Sequence, residues 1–173
     1  GLGDKPMHFH GYTWIIPSNG NNDLRKERKD KPKGVGFLVN TTLLDSIREI
    51  ASDIEDTIWL ELKTNSTTIL IGNWYLPVAA NGNKTRYKTR LKDIRAFIKQ
   101  HKKHSKVMMG DFNARLADNL RSATGWRITG KFSMHRETNE AGEQMLQMMK
   151  ELGLAAVSTF HKPTNRAARG AGN

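Results

Sequence analysis

The residues best suited to chemistry lie in the segment Val107–Ala114, where an acid and an amide follow a short apolar run. An apolar run that stops at a glycine predicts a buried strand that opens into a loop. In extended backbone, Asp111 and Asn113 point to one side and Phe112 points into the core. The carboxylate can orient or deprotonate a water molecule, and the amide can bond an anionic oxygen. The pair therefore indicates phosphoryl chemistry, although an Asx turn explains Gly110–Asn113 equally well.

A β-hairpin is predicted ahead of this segment. Thr57–Lys63 alternates, with Ile58, Leu60 and Leu62 expected on one face of a strand. A short polar turn then leads into Thr67–Trp74, so the two strands are expected to pair. The other predicted strands are Tyr12–Ile16, Gly34–Val39, Val107–Gly110, Leu154–Thr159 and, with a helix as the alternative, Leu43–Ile50.

Two amphipathic helices are also predicted. Tyr87, Leu91, Ile94 and Ile98 recur at helical spacing, which places Lys and Arg on the outer face. A second helix is capped by Thr138 or Asn139 and ends at Gly153. Its apolar stripe is Ala141, Met145, Met148 and Leu152. Exposed loops are expected over Asn21–Lys33 and Asp118–Met134, and a polar tail over Arg166–Asn173.

The order of elements predicts an α+β fold, because strands dominate first and are followed by helix, strand, helix and strand. We expect a two-layer β-sandwich flanked by helices, in a single domain spanning residues 1–173. The chain has no cysteine, so disulfides and thiolate metal clusters are excluded. No apolar run approaches the length of a membrane span, so no membrane segment is expected.

The charge of the chain favours a polyanionic partner. The formal net charge is +11, and the pI is near 10.0. Lys84–Lys106 contains seven Lys, three Arg and one acidic residue, and Asp23–Lys33 contains six basic and three acidic residues. Such surfaces bind nucleic acid in a salt-sensitive way. A solvated, Lys-rich helix face is the alternative interpretation.

An ordered set of motifs resembles the exonuclease–endonuclease–phosphatase superfamily, whose fold is deoxyribonuclease-like. Within it, the chain is most similar to endonuclease domains of non-LTR retroelements and to craniofacial-development-protein-2-like sequences. The similarity covers Gly11–Phe160. The motifs, in chain order, are Gly34–Val39, Ile58–Leu62, Ile69–Pro77, Gly110–Ala114, Asn139–Gly142 and Val157–Phe160.

The resemblance implies roles for individual residues in Mg²⁺-dependent hydrolysis of a phosphodiester. Asp111 corresponds to the acid that orients or deprotonates the attacking water, and it is also the implied metal contact. Asn113 corresponds to the amide that binds a phosphoryl oxygen. Tyr75 corresponds to the tyrosine that holds the scissile phosphate, with an aromatic residue packed at a sheet edge as the alternative. Asn139 corresponds to a residue that contacts the nucleic-acid backbone, and a helix cap explains it equally well.

Three arginines near Asp111 could bind phosphates, and an Arg-bearing surface loop is the alternative for each. They are Arg115, Arg121 and Arg127.

The resemblance also implies elements that this chain does not contain. In that family a strand with an Asn and a strand ending in Gln-Glu come first, and the Glu holds the divalent metal. By position, both would precede Gly1. A Ser-x-x-Asp strand and a Ser-Asp-His motif come last, and the chain stops at Asn173 before either. We therefore expect an incomplete domain that is inactive by itself, with uncovered sheet edges that favour self-association.

Three functions remain open on the sequence. The first is an endonuclease of retroelement type that acts on DNA, for which the resemblance implies a nuclear location. The second is a phosphatase of the same superfamily that acts on inositol phosphates. The third is a noncatalytic nucleic-acid-binding remnant that kept the fold without the chemistry.

Overall fold

The computed structural model describes residues 7–16, 34–80 and 82–162. This part of the chain is mixed α/β, with two β-sheets and two α-helices. In chain order the elements are β1 (Met7–Phe9), β2 (Tyr12–Ile15), β3 (Phe37–Asn40), a 3₁₀-helix (Thr41–Ser46), β4 (Ile47–Ile50), β5 (Thr57–Lys63), β6 (Thr68–Tyr75), α1 (Lys84–Gln100), β7 (Ser105–Asp111), α2 (Glu140–Leu152) and a second 3₁₀-helix (Val157–Phe160).

The two sheets differ in how their strands run. The first has the order β1-β2-β3 and is antiparallel throughout. The second has the order β4-β5-β6-β7, and its last pair, β6 and β7, is parallel. Parallel neighbours need a long crossover connection, and α1 lies between these two strands in the chain. The predicted hairpin of β5 and β6 is confirmed.

The chain divides into two compact units. The first comprises residues up to Leu76 together with Gln100–Phe112, and the second comprises Pro77–Lys99 and the residues from Asn113 onward. Both sheets belong to the first unit, whereas α2 and nearly all of α1 belong to the second. The single-domain expectation stays a prediction.

An apolar cluster in the first unit joins residues of both sheets. Ile15 and Val39 from the first sheet pack with Ile58 and Leu60 from β5. Partly buried Ile71 of β6 packs against this cluster. The predicted orientation of Ile58 and Leu60 toward one apolar face is therefore confirmed. Burial of such side chains is the main favourable term in folding.

Aromatic rings cover the opposite face of the second sheet. Trp59 and Trp74 are fully buried, with ring centroids 5.6 Å apart. The ring of Phe112 lies 5.1 Å from that of Trp74, and its half-buried side chain points inward as predicted. The indole N–H of Trp59 donates to the hydroxyl of Thr57 at 3.1 Å. These contacts anchor the end of β7 next to β6.

A buried carboxylate anchors the start of β7. Glu61 on β5 accepts a bond from the Arg48 guanidinium at 3.1 Å and bonds His104 Nε2 at 3.0 Å. Only 8% of the Glu61 side chain is exposed. The hydrogen bond with His104, and then the charge of Arg48, hold the pKa of the Glu61 carboxyl below its ordinary value, against the opposing effect of burial. The turn that precedes β7 is thereby tied to β5.

Both predicted helices are confirmed in the second unit. The phenol of Tyr87 on α1 is fully buried and donates to the Ala141 carbonyl of α2 at 3.3 Å. Burial raises the pKa of this phenol. Asn139 caps the start of α2, and Gly153 ends it in the left-handed conformation, with a φ of 67°. No helix in the described residues is long and apolar enough to cross a membrane.

Two predictions about secondary structure and one about exposure are wrong, wholly or in part. Leu43–Ile50 is neither all strand nor all helix, because a 3₁₀-helix precedes β4. Leu154–Thr159 is not a strand, since only Ala156 makes a bridge, with Thr129, before a 3₁₀-helix begins. Asp118–Met134 is irregular as predicted, but Ile128 and Thr129 inside it are fully buried.

The prediction of a buried β7 is also wrong. Among the described strands it lies at the edge of its sheet, and 46% of Val107 and 42% of Met109 are exposed. An apolar run of this length does not distinguish an edge strand from a central one. The loop predicted over Asn21–Lys33 and the tail over Arg166–Asn173 lie outside the described residues.

Candidate functional site

Tyr75 and Asp111 end two neighbouring parallel strands at the same level. They are the last residues of β6 and β7, and they are direct partners in the strand register. Register partners project from the same face of a sheet. The Asp111 side chain is exposed, and 39% of Tyr75 is exposed. The structure therefore brings a phenol and a carboxylate side by side at the carboxyl ends of the strands, where sites in layered α/β proteins commonly lie.

The backbone around this pair is fixed by hydrogen bonds. The Tyr75 N–H donates to the Asp56 carbonyl at 3.0 Å, and the Leu76 N–H donates to the Asp111 carbonyl at 2.9 Å. Asp56 has a φ of 57°, which is the left-handed region that Asp tolerates better than most residues. The backbone that carries the Tyr75 and Asp111 side chains is therefore fixed by hydrogen bonds to both β7 and the turn before β5.

Glycine is required immediately before Asp111. Gly110 has a φ of 131° and lies opposite Trp74 in the strand register. A Cβ added at Gly110 would overlap the Trp74 carbonyl oxygen and would lie 2.8 Å from the Trp74 nitrogen. The glycine in the Gly-Asp-Phe-Asn motif therefore lets β7 approach β6 closely enough to place Asp111 beside Tyr75.

The expectation that extended backbone continues to Asn113 is wrong. The strand ends at Asp111, and Asn113 has a φ of 45° in the left-handed region. Asn adopts this conformation more readily than most residues, in agreement with the turn interpretation. Asn113 is half-buried and belongs to the second unit. Its predicted contact with a phosphoryl oxygen stays a prediction.

Asn139 has a structural role that its position alone explains. Its side-chain oxygen accepts hydrogen bonds from the Gly142 N–H at 2.8 Å and from the Arg115 N–H at 3.0 Å. The first bond caps α2, and the second holds the segment that follows Asn113 in the chain. A Cβ at Gly142 would overlap the Arg115 carbonyl oxygen, so the Asn-x-x-Gly spacing serves packing. Contact of Asn139 with nucleic acid stays a prediction.

The three arginines near Asp111 in the sequence have exposed side chains on irregular chain. Arg121 and Arg127 form an isolated bridge with each other. The Arg121 guanidinium donates to the Gly125 carbonyl at 2.8 Å, within the same turn. Arg115 is held by its backbone to Asn139. These contacts are those of a surface loop, which was the alternative interpretation.

Part of the basic charge of α1 is neutralised within the second unit. Lys84 bonds Glu140 at the start of α2. Arg95 and Lys99 bond Glu151, at 3.0 Å and 3.3 Å. Exposed ion pairs of this kind add little to stability, because solvent screens the charges. The helix therefore presents less free positive charge than its sequence suggests.

The resemblance implies a magnesium ion, and Asp111 is the exposed carboxylate that could bind it at the carboxyl ends of β6 and β7. The described residues contain no group of three or more His, Cys, Asp or Glu side chains placed to hold a metal. Magnesium needs only one or two carboxylates when water and substrate phosphates fill its other positions. Asp111 therefore fits a magnesium site in which the substrate phosphate and water supply the other ligands. It does not fit a site made of protein ligands alone.

The comparisons with known proteins add no family to this geometry. No protein-family model matches the chain, and no curated protein matches it.

Sequence reasoning missed Asp56, whose carbonyl holds Tyr75. An acidic residue just before a predicted strand is a turn signal, and that signal could have placed Asp56 at this rim.

Proposed function

We propose that Tyr75 and Asp111 belong to a metal-dependent phosphodiesterase site that acts on nucleic acid, as in endonucleases of retroelement type. The observation that carries the proposal is their in-register pairing at the ends of adjacent parallel strands. The order of the motifs and the net charge of +11 support it. A two-layer sandwich of the deoxyribonuclease type, flanked by helices, is part of the same proposal.

Each residue has a distinct task in this proposal. The Asp111 carboxylate accepts a proton from the attacking water and orients it in line with the scissile bond. The Tyr75 hydroxyl donates a hydrogen bond to a phosphate oxygen, where negative charge increases in the transition state. The resemblance gives the Asn113 amide a hydrogen bond to a phosphoryl oxygen. Asp111 is the residue that would hold a magnesium ion, which would supply charge neutralisation at the phosphate.

The contact of Asn139 with the nucleic-acid backbone would use its side-chain N–H₂. The oxygen of the same amide already accepts two backbone N–H groups. Phosphate oxygens accept hydrogen bonds, so the N–H₂ group of the amide is the part that can contact them.

The test of this site is the affinity of two variants for duplex DNA, measured by fluorescence anisotropy at one salt concentration. Y75F removes a hydrogen bond to a charged group and is expected to weaken binding about tenfold. In buffer without magnesium, D111N removes a carboxylate that repels phosphate and is expected to tighten binding about fivefold. The control D118N removes the same charge from an exposed loop residue and is expected to change affinity less. Equal affinities for all four proteins would contradict the proposed site.

The same samples are expected to leave supercoiled plasmid uncut in magnesium or manganese. One exposed carboxylate supplies only part of the charge that phosphodiester cleavage needs, and removing one preorganised partner costs about 3 kcal/mol of barrier. Robust magnesium-dependent nicking that disappears in D111A would contradict the expected inactivity of the isolated chain and would support the role of Asp111.

A noncatalytic nucleic-acid-binding protein is the second candidate. The observation that favours it is the basic charge of the chain, since Lys84–Lys106 contains seven Lys, three Arg and one acidic residue. It predicts DNA binding that falls steeply with salt, without opposite effects of Y75F and D111N. Hydrolysis of inositol phosphates in preference to DNA would instead support a phosphatase of the same superfamily.

A further inference from the structure

The two helices of the second unit form a groove between them. Its cavity has a volume of about 340 Å³, which is within the range of sites for small molecules. Both helices contribute polar and apolar side chains to its lining. The side chains that could contact a ligand are Lys88, Leu91 and Lys92 of α1 and Glu143, Gln144 and Met148 of α2. All of them belong to the second unit, so the groove lies within one compact part of the chain.

Ion pairs join the two helices near both ends of the groove. Lys84 bonds Glu140 where the helices begin, and Arg95 bonds Glu151 at 3.0 Å toward their ends. The residues of both pairs are 56 positions apart in the chain, so the helices run side by side in the same direction. The space between the two pairs suits one compact molecule better than a continuous strand.

The charged side chains in the middle of the groove are not neutralised in this way. Within the described residues, neither Lys92 nor Glu143 has an ion-pair partner. Lys88 reaches Glu140 only at 3.9 Å, and Glu140 already bonds Lys84. Lys88 and Lys92 are exposed and one helical turn apart, so both ammonium groups can reach the same anionic group. The wall formed by α1 therefore favours an anion.

The floor of the groove is apolar and shallow. Leu91 and Met148 form it, and only 6% and 2% of their surfaces are exposed. A docking helix needs holes for its apolar side chains, whereas a planar ring can lie flat across such a floor. On the opposite wall, the Glu143 carboxylate accepts hydrogen bonds and the Gln144 amide both donates and accepts them. The groove therefore fits a molecule that combines an anion, a flat ring and hydrogen-bond donors.

We propose that this groove binds a nucleoside monophosphate. The phosphate lies between the Lys88 and Lys92 ammonium groups, which donate charge-assisted hydrogen bonds to its oxygens. The base lies over Leu91, and its amino group donates to Glu143. The free nucleotide is the occupant, because the ion pairs near both ends of the groove leave room for one unit.

The test is a titration of the isotope-labelled full chain with AMP, followed by the amide signals of α1 and α2. K88Q and K92Q each remove one exposed charge and are each expected to weaken AMP binding about three- to fivefold. K92R keeps the charge and is expected to retain most of the affinity. K150Q removes an exposed lysine charge of α2 outside the groove, so it is the matched control and is expected to bind AMP like the parent. Adenosine and inorganic phosphate, which each lack part of the ligand, are expected to bind more weakly than AMP.

Three outcomes would overturn this assignment. One is unchanged AMP affinity in both K88Q and K92Q, and another is an equal loss in K150Q, which would show attraction by net charge alone. The third is a glutamate-rich peptide or an oligoadenylate whose binding depends on Lys92 while AMP does not bind. Y75F, which changes the first unit, is expected to leave AMP binding in the groove unaltered. Failure of the groove is therefore distinguishable from failure of the Tyr75–Asp111 site, which is tested on duplex DNA.

Discussion

Replacing Gly110 with alanine is expected to unfold much of the first unit. The new methyl group would overlap the Trp74 carbonyl oxygen across the β6–β7 pair, and the backbone at this position has a φ of 131°. Neither strand can move away without breaking the ladder that holds Tyr75 beside Asp111. The expected loss is at least about 4 kcal/mol, a large fraction of the stability of a small domain. Urea denaturation followed by circular dichroism measures it.

The control for this prediction is Gly125, which has a φ of 87° and open space within 4 Å of the position that an added methyl group would occupy. G125A therefore carries the backbone strain without the collision, and it is expected to cost about 1–2 kcal/mol. A G110A protein as stable as G125A would show that β7 does not approach β6 as closely as described.

Replacing Gly142 with alanine is expected to have the second largest effect. Gly to Ala inside a helix usually stabilises by about 1 kcal/mol. Here the added Cβ would overlap the Arg115 carbonyl oxygen and would lie 2.8 Å from the Thr138 methyl group. Overpacking of this kind costs about 1–3 kcal/mol, so G142A is expected to destabilise the protein where Gly to Ala usually stabilises a helix.

Thermal unfolding of G142A compared with E143A measures this effect, because Glu143 is the exposed neighbour of Gly142 in the same turn. E143A is expected to change the melting temperature little. A G142A protein more stable than the parent would contradict the packing role of the Asn-x-x-Gly segment.

The helices were predictable because their signals are local. The apolar spacing of Tyr87, Leu91 and Ile94 defines the buried stripe of α1, and all three are buried. Asn139 and Gly153 bracket α2 as a cap pair does, and each has the backbone conformation that its role requires. Such patterns depend on neighbours three or four residues away and not on the rest of the fold.

The edge position of β7 was not predictable, because it depends on which strands pair. Val107 and Met109 have the composition of a buried strand and are exposed for lack of a neighbour among the described strands. Ile128 and Thr129 show the reverse, since they are fully buried inside a segment whose Gly and Arg content suggested a surface loop. Burial at these positions is decided by tertiary contacts.

The sequence indicated which residues belong to the candidate site but not how they are placed relative to one another. The resemblance pointed to Tyr75 and Asp111, yet only the strand register shows that they are direct partners. The left-handed φ of Asn113 breaks the alternation on which the expected Asp–Asn pair rested. The ion pairs of Lys84 and Arg95 with α2 could not be read from charge counts, because those partners lie more than fifty positions away in the chain.

The most direct measurement of the paired site is an NMR titration of the isotope-labelled chain with duplex DNA in the presence of magnesium. The site predicts that the amide signals of Tyr75, Leu76 and Asp111 shift together and saturate at one DNA concentration. It also predicts that these shifts shrink in Y75F. Shifts confined to α1 or to the outer face of the first sheet, with Tyr75 and Asp111 unmoved, would contradict the central claim that this rim receives a phosphodiester.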